Sequence, residues 1–382
     1  MKSLLLLTLL VACGDSNQQM PDAPIGTDGP GSGDASSQPV AQAVVLGADF
    51  SSGTGVVSRL DVATLNMQQN VVAGAATSDP VIRQLGNNVY IVNRFVGENV
   101  TILDAKTLSL VGQHSTGAGS NPQDVAVVGH KLYIPATGTA GVVVMTLPAG
   151  TTTTIALDTA VGDPDGKPDC IAAYAVGNDV YVACGLLDEN FAPRGAGKVA
   201  VIDSATDTVR TTISLPETNP VGFFHQSPAS SAFGGDLLIA AVPSFDTFTS
   251  GCLVRVTPGP TPTATCATGL HNSDLGGFVN GIAFGDKLWL SVVVDVNFAT
   301  ASGQLRAVDL SSGALASTPV SASNEQVTDL AACPDGSVVT VDSTMNATGV
   351  RVFENGSETT TAALAIGLPP VFSSGIVCYD AR

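Results

Sequence analysis

Hydrophobic positions follow two patterns inside one short stretch of the chain. Residues 198–203, KVAVID, are apolar at almost every position, whereas apolar and polar positions alternate in residues 208–214, TVRTTIS. A continuous apolar run is typical of a β-strand covered on both faces, and alternation is typical of a strand with one face in water. The pattern therefore predicts a buried strand followed by an outer strand. The outer-strand side chains expected to face a neighbouring layer are Val209, Thr211 and Ile213.

This block recurs along the chain every 43 to 56 residues. An Asp ends the apolar run in four copies, at Asp61, Asp104, Asp203 and Asp309, and Leu147, Pro258 or Glu354 stands there in three others. An Asp at this point can accept backbone N–H groups in an Asx turn. Two apolar strands joined by a Gly-Asn or Gly-Asp type turn precede the block, as in residues 170–184, and such turns are a hairpin signal. Each repeat therefore predicts four antiparallel strands, A to D.

The repeats predict an all-β fold, a seven-bladed β-propeller with four-stranded antiparallel blades. Four-stranded repeats of about 40 to 50 residues are typical of propeller blades. The chain opens with a B-like strand at residues 42–50 that lacks an A partner, and it closes with an A-like strand at residues 373–380 that lacks a B partner. We therefore expect the C-terminal strand to become the innermost strand of the first blade, which closes the ring and removes an open sheet edge.

Two stretches carry a resemblance to a known repeat. Residues 198–220, KVAVIDSATDTVRTTISLPETNP, and residues 121–138, NPQDVAVVGHKLYIPATG, resemble the YVTN-type repeats of bacterial surface propellers. These repeats are related in fold to the lactonase-like and quinoprotein-like seven-bladed proteins, a superfamily that mixes enzymes with binding scaffolds. The resemblance covers about residues 42–382, and residues 222–235, in the fifth blade, depart from it most.

The first residues predict an exported chain. MKSLLLLTLLVACG begins with one Lys and continues with an apolar run that is shorter than the roughly 20 residues of a membrane span, as in a secretory signal. Leu10 to Cys13 resemble a bacterial lipobox, which implies a lipid on Cys13; an ordinary signal peptide with a chance Cys is the alternative. Residues 14–41 lack apolar periodicity, so we expect a disordered tether. The predicted domains are residues 1–12, signal peptide; 13–41, lipidated Cys and tether; and 42–382, propeller.

Charge and the N-terminal signal limit the partners. The chain has 15 Lys and Arg against 33 Asp and Glu, a net charge of −18, which argues against nucleic acid. The lipid is the only membrane attachment expected. Gly14 rather than Asp follows the Cys, and by resemblance to the enteric sorting rule this favours the outer membrane within the cell envelope.

The cysteines predict disulfide bonds. One of the seven, Cys13, is assigned to the lipid, and an exported chain meets oxidising conditions. Two pairs lie within single hairpins, and the third pair lies on the A strands of the last and the closing blade, where two buried free thiols are the alternative. The expected bonds are Cys170–Cys184, Cys252–Cys266 and Cys333–Cys378.

Metal-site candidates are few. His225 and His271 could both approach the axial channel and, with Asp274, bind a metal, whereas His114 and His130 fall on an outer strand and in a turn. Ordinary polar positions are the alternative, because the pair lacks the short, fixed spacing of zinc motifs. A second candidate is a calcium loop, in which the closing Glu of an EF-hand is missing. Its carboxylates are Asp163, Asp165 and Asp169. No cofactor is expected, and calcium at this loop is the alternative.

Two functions follow from the sequence. Carboxylates near the starts of A strands should ring the channel mouth, namely Asp79, Asp124, Asp169 and Glu325. No nucleophile elbow, P-loop or Cys-x-x-Cys pair is present. The favoured function is therefore a non-enzymatic, lipid-anchored propeller that binds a protein, glycan or small ligand at its loop face. The alternative is a lactonase-like or quinoprotein-like enzyme with a cation or cofactor in the channel.

Overall fold

The computed structural model describes residues 39–244, 247–294 and 303–382. These residues belong to one compact unit, Pro39–Arg382, and form seven antiparallel sheets. The lipobox with Cys13 and most of the predicted tether lie outside the described residues. Within the described part of the chain, no helix has the length and apolar character needed to cross a membrane.

The strands follow the chain from blade 1 to blade 7. Blades 1 to 3 contain β1 (Ala41–Asp49), β2 (Thr54–Asp61), β3 (Asn66–Gln68); β4 (Pro80–Leu85), β5 (Asn88–Asn93), β6 (Asn99–Asp104), β7 (Leu110–Ser115); and β8 (Ala126–Val128), β9 (Lys131–Ala136), β10 (Gly141–Thr146), β11 (Thr151–Ala156). Blades 4 and 5 contain, with two short helices, α1 (Asp158–Val161), β12 (Cys170–Val176), β13 (Asp179–Cys184), β14 (Lys198–Asp203), β15 (Thr208–Ser214); and β16 (Pro220–Gln226), β17 (Leu237–Ala241), β18 (Cys252–Thr257), β19 (Thr263–His271), α2 (Asn272–Leu275). Blades 6 and 7 contain β20 (Phe278–Phe284), β21 (Leu288–Val293), β22 (Gly303–Val308); and β23 (Val327–Ala332), β24 (Val338–Asp342), β25 (Gly349–Glu354), β26 (Ser357–Glu358).

The ring is closed by both ends of the propeller. The last strand, β27 (Ile376–Asp380), pairs antiparallel with β1 and is the innermost strand of blade 1. This confirms the predicted closure. The sheet of blade 6 has three strands among the described residues, and the other six sheets have four.

The apolar core lies between neighbouring blades. In β13, Val180 and Val182 pack toward blade 3, whereas Tyr181 and Ala183 pack toward blade 5. All four side chains are buried. Inner strands are therefore covered on both faces, which is why their sequences are apolar without alternation.

The outer strand β15 departs from the predicted alternation. Its pairing with β14 shifts between Val201 and Ile202, so that Arg210 forms a β-bulge. Val209 consequently packs in the core between blades 3 and 4, and Ile213 packs in the core between blades 4 and 5. The prediction that both face the same blade is wrong, because the extra residue reverses the side on which the following side chains point.

The Asp at the C-to-D junction makes the predicted turn. Asp104 Oδ1 accepts the backbone N–H of Thr107 at 2.8 Å, and Leu108 N–H donates to the Asp104 carbonyl at 2.8 Å. Asp61 and Asp309 likewise accept the N–H three residues further on, and Asp203 accepts the N–H two residues further on. In blade 3, Gly150 N–H donates to the carbonyl of Thr146, so Thr146 and not Leu147 takes the place of the Asp.

Three disulfide bonds cross-link the propeller. They are Cys170–Cys184, Cys252–Cys266 and Cys333–Cys378, the three pairs that the repeat predicts. The third bond joins the residue after β23 to β27 and so ties the closing strand to its neighbouring blade. Three disulfides are typical of a protein that folds outside the reducing cytoplasm.

The antiparallel order gives the ring two different faces. We call the face with the B–C and D–A connections the loop face, and the face with the A–B and C–D turns the turn face. Because β1 is a B strand, Ala41 begins at the turn face and Asp49 ends at the loop face.

Candidate functional site

The inner strands surround a cavity on the axis of the ring. Its volume is about 320 Å³, and residues from blades 1, 2, 4, 5, 6 and 7 line it. Much of the wall is apolar. The polar side chains on it include Arg83, Tyr174, His225, Asn280 and Asp329.

An irregular bulge in β16, with two extra residues, shapes this cavity. Val221 pairs with Ala240 and His225 pairs with Leu238, so the three residues between them oppose a single residue of β17. Gly222 has φ of 72°, a left-handed conformation that glycine adopts without steric cost. The bulge carries Phe223 into the core between blades 2 and 3. The fifth blade therefore departs from the repeat at the point where its sequence builds the channel wall.

Arg83 crosses the channel from β4. Its Nε and Nη2 donate to both carboxylate oxygens of Asp124 at 2.7 Å, and Nη1 donates to the Phe224 carbonyl at 3.0 Å. The guanidinium carbon lies 3.8 Å from the centre of the Phe223 ring. A second cavity of about 280 Å³, lined by blades 2, 3 and 4, shares Arg83 and Tyr174 with the first. Arg83 therefore lies between the two cavities. We call its guanidinium and the Phe223 ring on which it lies the channel partition.

Two buried carboxylates tie neighbouring inner strands together. Asp124 accepts the N–H groups of Val125 at 2.7 Å and Ala173, of the next blade, at 2.9 Å. Asp329 accepts those of Leu330 at 2.9 Å and Gly375, also of the next blade, at 2.7 Å. Burial raises the pKa of Asp124, and the Arg83 guanidinium opposes that rise. Burial raises the pKa of Asp329 to about 7, and among the described residues no Lys or Arg forms an ion pair with it.

The two candidate histidines are not brought together. His225 lines the axial cavity, where burial and the Arg83 charge lower its pKa to about 3. His271 is exposed and ends β19, the outer strand of the same blade, rather than lying in a loop near the channel. Three strand spacings of about 4.8 Å put roughly 14 Å between the two strands. The Asp274 carboxylate instead accepts the backbone N–H of His271 at 3.0 Å.

The acidic loop before β12 is bonded to its own backbone. Asp163 and Asp165 each accept the Lys167 N–H at 2.9 Å, and Asp165 pairs with Arg194 at 3.0 Å. Asp169 accepts the Leu187 N–H at 2.8 Å, and burial raises its pKa to about 6.

In the described ranges, one group of three side chains that could bind a metal has its ligand atoms within 4.8 Å of one another. It consists of Glu217, Cys252 and Cys266, and both sulfurs are in a disulfide. Calcium binding at the acidic loop stays an alternative.

Of the predicted ring of carboxylates, Asp124 contacts the channel partition. Asp79 pairs with Arg94, and Glu325 lies 3.6 Å from Arg351 and accepts the Ala322 N–H at 3.1 Å. Burial and the nearby Glu358 raise the pKa of Glu325 to about 7. Sequence reasoning missed Arg83, whose signal was a cation inside the apolar run PVIRQL.

Exposed apolar side chains concentrate on the loop face. Phe50, between β1 and β2, stacks on Phe95, between β5 and β6, with ring centres 5.7 Å apart, and they are 64% and 52% exposed. Val96 is 72% exposed and has φ of 69°, a strained conformation for a β-branched residue. Met345, between β24 and β25, is 59% exposed. We call these four side chains, on the neighbouring blades 7, 1 and 2, the apolar arc.

Comparison with known proteins shows the fold. No protein-family model and no curated protein matches the chain. A quinonprotein alcohol dehydrogenase-like protein from Bacteroides thetaiotaomicron has 13% identity and a TM-score of 0.54, with 89% of this chain and 78% of that chain covered. A candidate 6-phosphogluconolactonase from Bacteroides uniformis has 16% identity and a TM-score of 0.53, with 89% and 99% covered. Apo AztD from Citrobacter koseri has 13% identity and a TM-score of 0.52, with 89% and 98% covered. The chain is a seven-bladed β-propeller.

Proposed function

We propose that this protein is a lipid-anchored, extracytoplasmic binding propeller that holds a partner protein on its loop face. The apolar arc is the observation that carries the proposal. Large apolar side chains on neighbouring loops, exposed by half or more, are typical of interaction sites. Aromatic and Met side chains are enriched in protein interfaces, and the Phe50–Phe95 stack offers them in a rigid arrangement.

Charge on the loop face indicates the chemistry of the partner. Glu98 and Glu217 lie in its connections, whereas Arg94 is already paired with Asp79, and Arg194 with Asp165 and Glu189. The whole chain carries a net charge of −18. We therefore expect a partner surface with apolar side chains set among Lys and Arg, because complementary charge speeds association and suppresses wrong partners.

The lipid anchor rests on the N-terminal sequence, and the disulfides support export alone. The signal-like run and the resemblance of residues 10–13 to a lipobox support export and lipidation at Cys13. The chain enters the propeller at Ala41, on the turn face. Ala41 and the apolar arc therefore lie on opposite faces of the ring.

Site-specific photo-crosslinking tests the loop face. Benzoylphenylalanine is placed at position 95 of the full chain in its native cell, with position 111 as the control. Val111 is also exposed and lies in the same blade, but on its outer strand. We expect a discrete protein adduct from position 95 and none from position 111. The same adducts from both positions, or adducts of position 95 with lipid or with a second copy of the chain alone, would overturn the proposal.

The enzyme alternative has its own test. A cation or quinone that binds the native state raises the melting temperature. We expect calcium, EDTA and pyrroloquinoline quinone to leave the melting temperature unchanged. A rise with calcium that EDTA reverses, or a rise with the quinone, would favour an enzyme of lactonase or quinoprotein type.

A further inference from the structure

We infer that the axial cavity is a second binding site, for an uncharged ring compound that carries a hydroxyl group. The inference is independent of the loop face. A cavity of about 320 Å³ lies at the lower end of the range for small-molecule sites. Its apolar wall includes Ile82, Leu85, Phe284 and Ile376. Apolar walls with a few convergent polar groups are typical of such sites.

The charges around the cavity are already balanced or occupied. Both guanidinium nitrogens that face Asp124 are bonded to its carboxylate, and a third nitrogen is bonded to the Phe224 carbonyl. The Asp329 oxygens accept backbone N–H groups, and Oδ1 lies against Gly281. An anionic group on a ligand would therefore be desolvated without a free counter-charge, which costs several kcal/mol. A cationic group would find only Asp329, which stays mostly protonated and uncharged below its raised pKa of about 7. The site favours an uncharged molecule.

Two polar groups on the wall are open to a ligand. His225 and Tyr174 line the cavity from neighbouring inner strands. Burial and the Arg83 charge lower the pKa of His225, whereas burial raises the pKa of Tyr174 against the effect of Arg83. Among the described residues, neither side chain has a hydrogen-bond partner. Neutral imidazole accepts or donates one hydrogen bond at each nitrogen, and a phenol does both through one oxygen. A single hydroxyl of a ligand can thus accept from Tyr174 and donate to His225.

The wall is built rigidly enough for such a role. The bulge of β16 holds His225 beside Phe224, which is fully buried in the core between blades 4 and 5. The Phe224 carbonyl is in turn held by Arg83. Tyr174 lies on β12, next to Ala173, whose N–H is bonded to Asp124. The partition therefore fixes the two strands that present the hydroxyl-binding pair.

Titration calorimetry with four probes tests the site. Phenol has the ring and the hydroxyl, toluene lacks the hydroxyl, and benzoate and benzylamine add a negative or a positive charge. We expect phenol to bind with one-to-one stoichiometry, about 100-fold more tightly than toluene, since each of two well-made hydrogen bonds contributes about 1 kcal/mol or slightly more. At pH 6, where Asp329 is mostly protonated, benzoate and benzylamine should bind more weakly than phenol. Absence of saturable phenol binding, or equal affinity for phenol and toluene, would overturn the inference.

Two variants locate the binding. Tyr174→Phe removes one oxygen and keeps the ring, and His225→Leu removes the imidazole, while His130→Leu changes an exposed turn. We expect the first two to weaken phenol binding about tenfold and to leave toluene binding unchanged, and His130→Leu to change neither. Circular dichroism confirms folding, and Tyr174→Phe suffices if His225→Leu does not fold. Phenol affinity that Tyr174→Phe leaves unaltered would contradict the proposed site.

Discussion

At the scale of single residues, Asp124 and Asp329 accept hydrogen bonds from backbone N–H groups at equivalent positions, but their electrostatic surroundings differ. Each accepts the N–H of the following residue and an N–H from the next blade. Only Asp124 also has a guanidinium, that of Arg83, against both oxygens. The two positions therefore allow the ion pair and the buried carboxylate to be separated experimentally.

Asp124→Asn should destabilise the fold strongly. The substitution leaves the buried Arg83 charge without its counter-ion, and breaking a buried pair in this way costs about 3–5 kcal/mol. Asp179→Asn is the control, because Asp179 pairs with Arg210 at the surface, where a salt bridge is worth about 1 kcal/mol at most. Urea unfolding at pH 7 measures both variants. An equal loss of unfolding free energy in the two variants would show that the Asp124–Arg83 pair contributes no more than a surface salt bridge.

Asp329→Asn should change the pH dependence of stability. The folded-state pKa of about 7 lies above the usual 3.8, so the native state binds this proton more tightly than the unfolded state does. The wild type therefore loses about 1.4 kcal/mol per pH unit relative to the variant as pH rises from 4 to 7, and little more above pH 7. Urea unfolding of both proteins at pH 5, 6, 7 and 8 measures this difference. A stability difference between the two proteins that is constant across these pH values would contradict a raised pKa of Asp329 in the folded state.

At the scale of elements, the closing strand β27 depends on three attachments. It pairs with β1, the preceding Gly375 donates to Asp329, and Cys378 is bonded to Cys333. The disulfide closes a separation of 45 residues, whereas Cys170 and Cys184 are 14 residues apart in one hairpin. The longer loop removes more conformational entropy from the unfolded chain.

Replacing both Cys333 and Cys378 by Ser should lower the free energy of unfolding by about 4 kcal/mol, and the same change at Cys170 and Cys184 by about 3 kcal/mol. We also expect amide hydrogens of residues 376–380 to exchange faster in the first variant alone, since only there is the closing strand released. Urea unfolding and hydrogen exchange measure both effects. Unchanged exchange in β27 would show that the disulfide does not hold this strand.

The parts of this fold that sequence reasoning predicts are those that local pattern encodes. The four-strand repeat, the Asx turns and the ring closure follow from apolar runs, turn residues and the unpartnered strands at the two ends. The channel partition could not be predicted in this way. It requires a bulge around Gly222 whose length the sequence does not specify. It also requires a contact between blades 2 and 5, which are distant in the chain. The bulge at Arg210 likewise reverses side-chain direction without a clear signal in the sequence.

At the scale of the whole molecule, the two faces of the ring have different roles in the proposed function. The described chain begins at the turn face, and the apolar arc lies on the loop face. Cys13→Ser should release the protein from membranes or block its processing, because a lipid is the only attachment expected. Fractionation of cells and blotting measure this. Membrane retention equal to that of the wild type would refute lipidation at Cys13.

Loop-face binding is tested most directly by the affinity for the protein that position 95 captures, measured with both proteins purified. Phe50→Ser with Phe95→Ser removes the aromatic stack, and Leu110→Ser with Val111→Ser removes two equally exposed apolar side chains from the outer strand of blade 2. Aromatic anchors at an interface contribute 2 kcal/mol or more, so the first variant should bind about 30-fold more weakly, and the second within about threefold of the wild type. Equal affinity of the two variants, or a larger loss in the second, would contradict binding through the loop face.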